Sequence, residues 1–248
     1  MRISNGNLHA PFTGCLLLAL AGVAHAQDTA APVGVPAHPM LEDPFNRSFL
    51  FDELEMHESD ALSWDATFWA GRSFNKLAVR TEGEKSGGDT ERADVELLWS
   101  HSFARWWDFV TGAREDFEPG EAQSWAAFGV QGLAPQRFEI EATAYFGEGG
   151  RSAARFEGEY ELLITQRLIL QPQLELNWYG QEDAARGVGP GLSTGEAALR
   201  LRYELRREVA PYLGLVREHK YGATADTARS NGDDPDDTRL VVGVRLRF

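Results

Sequence analysis

One cysteine, Cys15, stands in the whole chain of 248 residues. It precedes the apolar run Leu16-Leu-Leu-Ala-Leu-Ala-Gly-Val23, whereas a lipoprotein cysteine follows its apolar core. Residues 1–26 read as a secretory signal. Arg2 gives the positive start, 16–23 the apolar core, and Ala24-His25-Ala26 the small-x-small cleavage site. The expected mature chain, from Gln27, has no thiol. That excludes disulfides, thiolate zinc sites and cysteine nucleophiles together. Beyond residue 26 no apolar run approaches the ~18 residues of a membrane-spanning helix. Membrane strands stay open, because their hydropathy signal is weak.

Positive charge is scarce too. Lys+Arg number 24 against 38 Asp+Glu, a formal net charge of −14, and loss of Arg2 with the signal takes it one unit further. Such an acidic exported chain is a poor nucleic-acid partner. The excess either attracts cations or serves solubility and a polar interior.

What is there is alternation. Residues 27–47 hold four prolines and no period, the pattern of a flexible extension. Twelve strand-like segments then run to the end, near 48–57, 63–71, 76–84, 92–101, 107–116, 124–133, 137–147, 151–162, 167–178, 195–205, 211–221 and 238–248. No helical period interrupts them. Phe138, Ile140, Ala142, Ala144 and Phe146 oppose Glu139, Glu141, Thr143 and Tyr145. Ala197, Leu199, Leu201 and Tyr203 oppose Glu196, Arg200, Arg202 and Glu204. In the last segment Leu240, Val242, Val244, Leu246 and Phe248 oppose Arg239, Gly243, Arg245 and Arg247. This is the period of strands with one apolar face. It does not say which face is inside, since membrane barrels invert the soluble pattern.

Connection lengths decide that question. Every second connection is short (72–75, 102–106, 134–136, 163–166, 206–210). The others include the long ones, 85–91, 117–123, 179–194 and 222–237. Short turns at one end and long loops at the other predict an outer-membrane barrel. All seven tryptophans fall near strand ends, as interfacial girdles require. The expected fold is therefore an all-β, transmembrane antiparallel β-barrel of about twelve strands. Its expected domains are the signal (1–26), the periplasmic extension (27–47) and the barrel (48–248). A closing strand ending on Phe248 resembles the strand that outer-membrane assembly machinery reads, and lipid is the expected surround.

The chain also resembles the copper resistance protein B family of outer-membrane proteins. The matching stretches include Asp60-Ala-Leu-Ser-Trp-Asp-Ala66, Trp125-Ala-Ala-Phe-Gly-Val-Gln-Gly-Leu-Ala-Pro135, Phe138-Glu-Ile-Glu-Ala-Thr-Ala-Tyr145 and Leu201-Arg-Tyr-Glu-Leu-Arg-Arg-Glu208. The longest is Glu159-Tyr-Glu-Leu-Leu-Ile-Thr-Gln-Arg-Leu-Ile-Leu-Gln-Pro172. The resemblance covers roughly residues 48–248. It implies copper tolerance at the bacterial outer membrane, copper ion as the bound species, and a periplasmic multicopper oxidase as partner. Family members often carry a Met/His-rich extension; here only His38-Pro39-Met40 represents it.

Copper takes imidazole and thioether ligands. The mature chain offers histidines 38, 57, 101 and 219 and methionines 40 and 56. Met56-His57 ends the first strand and His219 lies near the top of the eleventh. The twelfth strand pairs with the first to close a barrel, so His57 or Met56 and His219 are expected at one rim. His38 and Met40 are the candidate ligands of the tail. Each has a bland alternative, rim polarity or an unstructured tail. His101, between Ser100 and Ser102 at a short turn, reads as structural. On the lumen face Glu157, Glu159 and Glu161, with Glu139 and Glu141, form the candidate cation-attracting surface, against a plain salt-bridged interior.

No catalytic set is expected. Gly191-Leu-Ser-Thr-Gly195 matches a hydrolase elbow in letters but falls in an expected loop. Asn231-Gly-Asp-Asp-Pro-Asp-Asp237 lacks the spacing of a calcium loop. The alternatives to copper handling are a general porin or, more remotely, an outer-membrane hydrolase.

Overall fold

The polar–apolar alternation is resolved by which parity is buried. In the computed structural model, which describes residues 43–57 and 61–248, Leu97, Leu213 and Val242 are 57%, 62% and 60% exposed. Asp94, Glu96 and Arg200 are 2%, 3% and 2% exposed. Apolar side chains therefore point outward and charges inward, the arrangement a bilayer demands. His38 and Met40 lie outside the described residues, as does the expected signal.

The strands are β1 (Asn46–His57), β2 (Leu62–Gly71), β3 (Asn75–Ser86), β4 (Asp89–Ala104), β5 (Trp107–Glu118), β6 (Gln123–Leu133) and β7 (Glu139–Gly147). They continue as β8 (Ser152–Glu159), β9 (Leu162–Leu163), β10 (Leu168–Tyr179), β11 (Gly191–Tyr203), β12 (Val209–Lys220) and β13 (Asp236–Arg247). Apart from β8 and β9, all pair antiparallel with their chain neighbours, and β13 returns to β1. β8 and β9 both pair with β10 and form one stave broken at Tyr160-Glu161. The barrel thus has twelve staves, as the alternation predicts. Phe248 and Phe49 exchange two backbone hydrogen bonds of 2.8 Å across the closure.

A register shift between Phe51 and Glu53 marks a bulge in β1. It turns the consecutive Asp52 and Glu53 both into the lumen, where Arg245 and Arg200 meet them at 2.6 and 2.8 Å. Ahead of β1, Asp43 accepts hydrogen bonds from the Ser73 hydroxyl (2.6 Å) and amide (3.1 Å). Those bonds hold its carboxyl below the ordinary range.

Three expectations need correction. A helix, α1 (Gly222–Asn231), does interrupt the strands, in the long connection before β13. Its buried residues are only Thr224, Ala225 and Ala228, so it has no apolar stripe for a period to reveal. The Gly191–Gly195 stretch is not loop but the start of β11, and Ser193 is fully buried against Thr224 at 2.8 Å. Finally, not every tryptophan serves a girdle. Trp99 and Trp106 are 40% and 60% exposed, but Trp125 faces the lumen, 6% exposed and donating to Asp116 at 2.9 Å. Trp69 lines the lumen as well, with the Lys76 ammonium over its ring.

Candidate functional site, the barrel lumen

Inward parity places charge opposite charge around the wall. Arg114 meets Asp116 at 2.5 Å and Asp94 at 3.2 Å. Arg155 meets Glu82 at 2.5 Å, and Arg92 pairs with the same carboxylate. Arg200 reaches Glu53 at 2.8 Å and Glu55 at 2.7 Å, and Arg80 pairs with Glu141. Apart from Lys76, which meets Asp108 at 3.1 Å, the lumen bases in these pairs are arginines. A planar guanidinium bridges two carboxylates in fixed geometry, which an ammonium on a flexible stem does less well.

Neutralisation is uneven. Among the described residues, Asp65, Glu139, Glu157 and Glu159 line the lumen with no cation at ion-pairing distance. Glu159 is only 8% exposed, and Gln173 donates to Glu157 at 2.8 Å. Glu139, Glu157 and Glu159 border a cavity of about 580 Å³ at the short-turn end. Glu157 also lines a second cavity of about 100 Å³, higher in the lumen, with Glu53, Asp65, Glu175 and Glu196. Glu161 differs from its neighbours, since Arg202 and Arg245 bind it at 2.5 and 2.9 Å.

His57 points inward and is 8% exposed. Its Nε2 is 2.9 Å from Ser63 Oγ and 4.0 Å from Glu55, and its Nδ1 is 3.7 Å from Glu84. Met56, its chain neighbour, takes the opposite parity and is 62% exposed. His219 sits across from Asp236 and hydrogen-bonds it at 2.9 Å, with Tyr221 edge-on at 4.5 Å. His57 pairs with Val241, five residues further along β13, or about 17 Å at strand spacing. The structure therefore does not bring His57, Met56 and His219 together. His101 lies beside Trp99 and bonds Asn75 at 3.0 Å. Among the described residues no three His, Cys, Asp or Glu side chains converge as a metal site.

The inward residues Asp52, Glu53, Glu55 and Asp65 escape the sequence reading. Asp65 alternates with Ala66 and Phe68 and was legible by period. The β1 acids were not, because the bulge at Asp52 breaks the period there.

A family model described as "Copper resistance protein B precursor (CopB)" matches residues 45–248. This chain belongs to the copper resistance protein B family. It is 46% identical over 229 residues to the copper resistance protein B homolog of Pseudomonas syringae pv. tomato, covering 91% of this chain and 78% of that protein. To the copper resistance protein B of Escherichia coli it is 43% identical over 229 residues, covering 91% and 77%. Neither relative is named as an enzyme. Among solved structures the NanC porin matches with a TM-score of 0.53 at 12% identity, over 82% of this chain and 100% of that one. That likeness is one of fold alone. A closed barrel of this family resides in the outer membrane, surrounded by lipid. Its short turns are then periplasmic and its long loops extracellular.

Proposed function

We propose that this copper resistance protein B family member supports copper tolerance by drawing copper ions onto its lumen wall, and that it catalyses no reaction. The observation that carries this reading is the uneven neutralisation of the lumen. Glu139, Glu157 and Glu159 border the periplasmic cavity with no cation at ion-pairing distance, while Lys76 and Arg80 on the same cavity are paired to Asp108 and Glu141, so the three glutamates attract cations from that side. Among the described residues His57 supplies the one lumen imidazole, set between Glu55 and Glu84. Imidazole is the ligand type that divalent copper favours.

Passage of cations is the second reading, and one observation favours it: Glu157 lines both the 580 Å³ and the 100 Å³ cavity. In the same proposal the signal 1–26 is removed on export, and the extension 27–47 offers His38 and Met40 to copper in the periplasm. The periplasmic rim is where a multicopper oxidase would dock.

Copper competition on the refolded barrel in detergent, with Cu(II) and Cu(I) probes, tests the reading. Glu157→Gln/Glu159→Gln and His57→Ala should each weaken binding at least about tenfold, roughly 1.4 kcal/mol. Equal binding by the wild type and both variants would sink it.

A further inference from the structure

The extracellular loops are cross-tied, and Arg186 makes the largest number of the ties. Arg186 lies in the connection between β10 and β11. Its guanidinium donates to the backbone carbonyls of Glu121 at 3.0 Å, Glu118 at 3.3 Å and Asp116 at 3.5 Å. The Asp116 carboxylate stands 3.8 Å away, and the Arg186 side chain is only 9% exposed. Three residues earlier, Asp183 accepts from Gln123 at 2.7 Å. Both ties reach from this loop to the extracellular ends of β5 and β6 and the connection between them, past the intervening β7 and β8. At the loop's other end the Gly189 amide donates to Thr224 of α1 at 2.8 Å.

At its near end the Gly180 amide donates to Ser152 at 2.7 Å and Gln181 to the Gly150 carbonyl at 3.1 Å, and these contacts too are polar. Gln181, Glu182, Ala184 and Ala185 are exposed. A loop held by a few polar contacts rather than buried apolar area opens locally at low cost. Beneath it lies a cavity of about 160 Å³, which Arg186 lines together with Arg114, Asp116, Arg155 and Thr194.

We propose that the 180–190 loop is a latch on the extracellular mouth, with Arg186 as its bolt, and that the lumen opens outward when the Arg186 contacts release. The fork is suited to the task, since one planar donor group engages three carbonyls outside its own loop, two at the end of β5 and one in the β5–β6 connection. The latch stands whether or not copper is the ion that enters, because it concerns only which end of the lumen is shut.

The test uses the full mature protein carrying Thr194→Cys, inserted in vesicles and exposed to a charged, membrane-impermeant maleimide on the loop side. Adding Arg186→Ala should raise the labelling rate about tenfold, the shift expected when a hydrogen bond from a charged donor is lost. Arg186→Lys should fall between, since a single ammonium cannot span the carbonyls. Heat-modifiable migration in detergent shows that each variant is folded. Where Arg186→Ala fails to assemble, Gln123→Ala, which removes only the partner of Asp183, should give a smaller rise. Equal rates in the folded variants and their parent would overturn the latch, as would fast labelling of the parent itself.

Discussion

At position 243 the lumen leaves no room for a side chain. Tyr212 stands directly across the β12–β13 ladder, 5% exposed, with its ring laid over the glycine. A Cβ built on Gly243 would lie 2.5 Å from both Tyr212 Cζ and its hydroxyl oxygen. Trp125 over Gly147 and Trp64 over Gly83 repeat the arrangement. An aromatic covering a cross-strand glycine restores packing where the strand has no side chain of its own. Gly243→Ala should therefore force the ring aside and cost about 1–3 kcal/mol. Urea unfolding in lipid vesicles measures it; an unchanged midpoint would mean the ring swings away freely. The same scale shows what parity alone can tell. Met56 and His57 had to face opposite ways once their strand was recognised. The separation of His57 from His219 depends instead on register, which sequence does not write out.

Elements were legible where alternation was clean. β7 and β13 appear almost where their periods put them, because a lipid face and a charged lumen impose opposite chemistry on successive residues, whereas β11 starts four residues before its expected bound. Helix α1 was not legible. Its buried face is Thr224, Ala225 and Ala228, and its one strong signal is the stop, Gly232 in the left-handed region at φ 89. Polar anchoring rather than an apolar stripe holds it. Thr224 accepts from the Gly189 amide at 2.8 Å and shares a hydrogen bond with the buried Ser193 at 2.8 Å. Thr224→Val keeps the shape and strands both partners, at a cost of about 1–3 kcal/mol. In hydrogen exchange the Gly189 amide should then exchange about tenfold faster or more, while β11 amides stay protected. Unchanged exchange at Gly189 would show that α1 is held by something other than Thr224.

On the scale of the whole barrel, the inventory of the candidate site was half legible. Period two assigns Glu139, Glu141, Glu157 and Glu159 to the lumen, but it does not say which of them an arginine neutralises. That is decided across the lumen, between residues far apart in sequence. Arg200 of β11 is the clearest example. It crosses to Glu53 and Glu55 on β1 at 2.8 and 2.7 Å and also donates to Gln173 on β10. Arg200 and Glu55 are each 2% exposed. Removing only the arginine leaves two carboxylates facing each other in a confined space, so Arg200→Met should cost about 3–5 kcal/mol in vesicle unfolding. Adding Glu53→Gln and Glu55→Gln to that variant removes the stranded charges and should recover most of the loss, a non-additivity that the single variants cannot show. The opposite pattern also has a meaning. If Arg200→Met costs no more than about 1 kcal/mol, the value of an exposed pair, water must reach Glu53 and Glu55. The arginine would then line a wet channel rather than brace a closed wall.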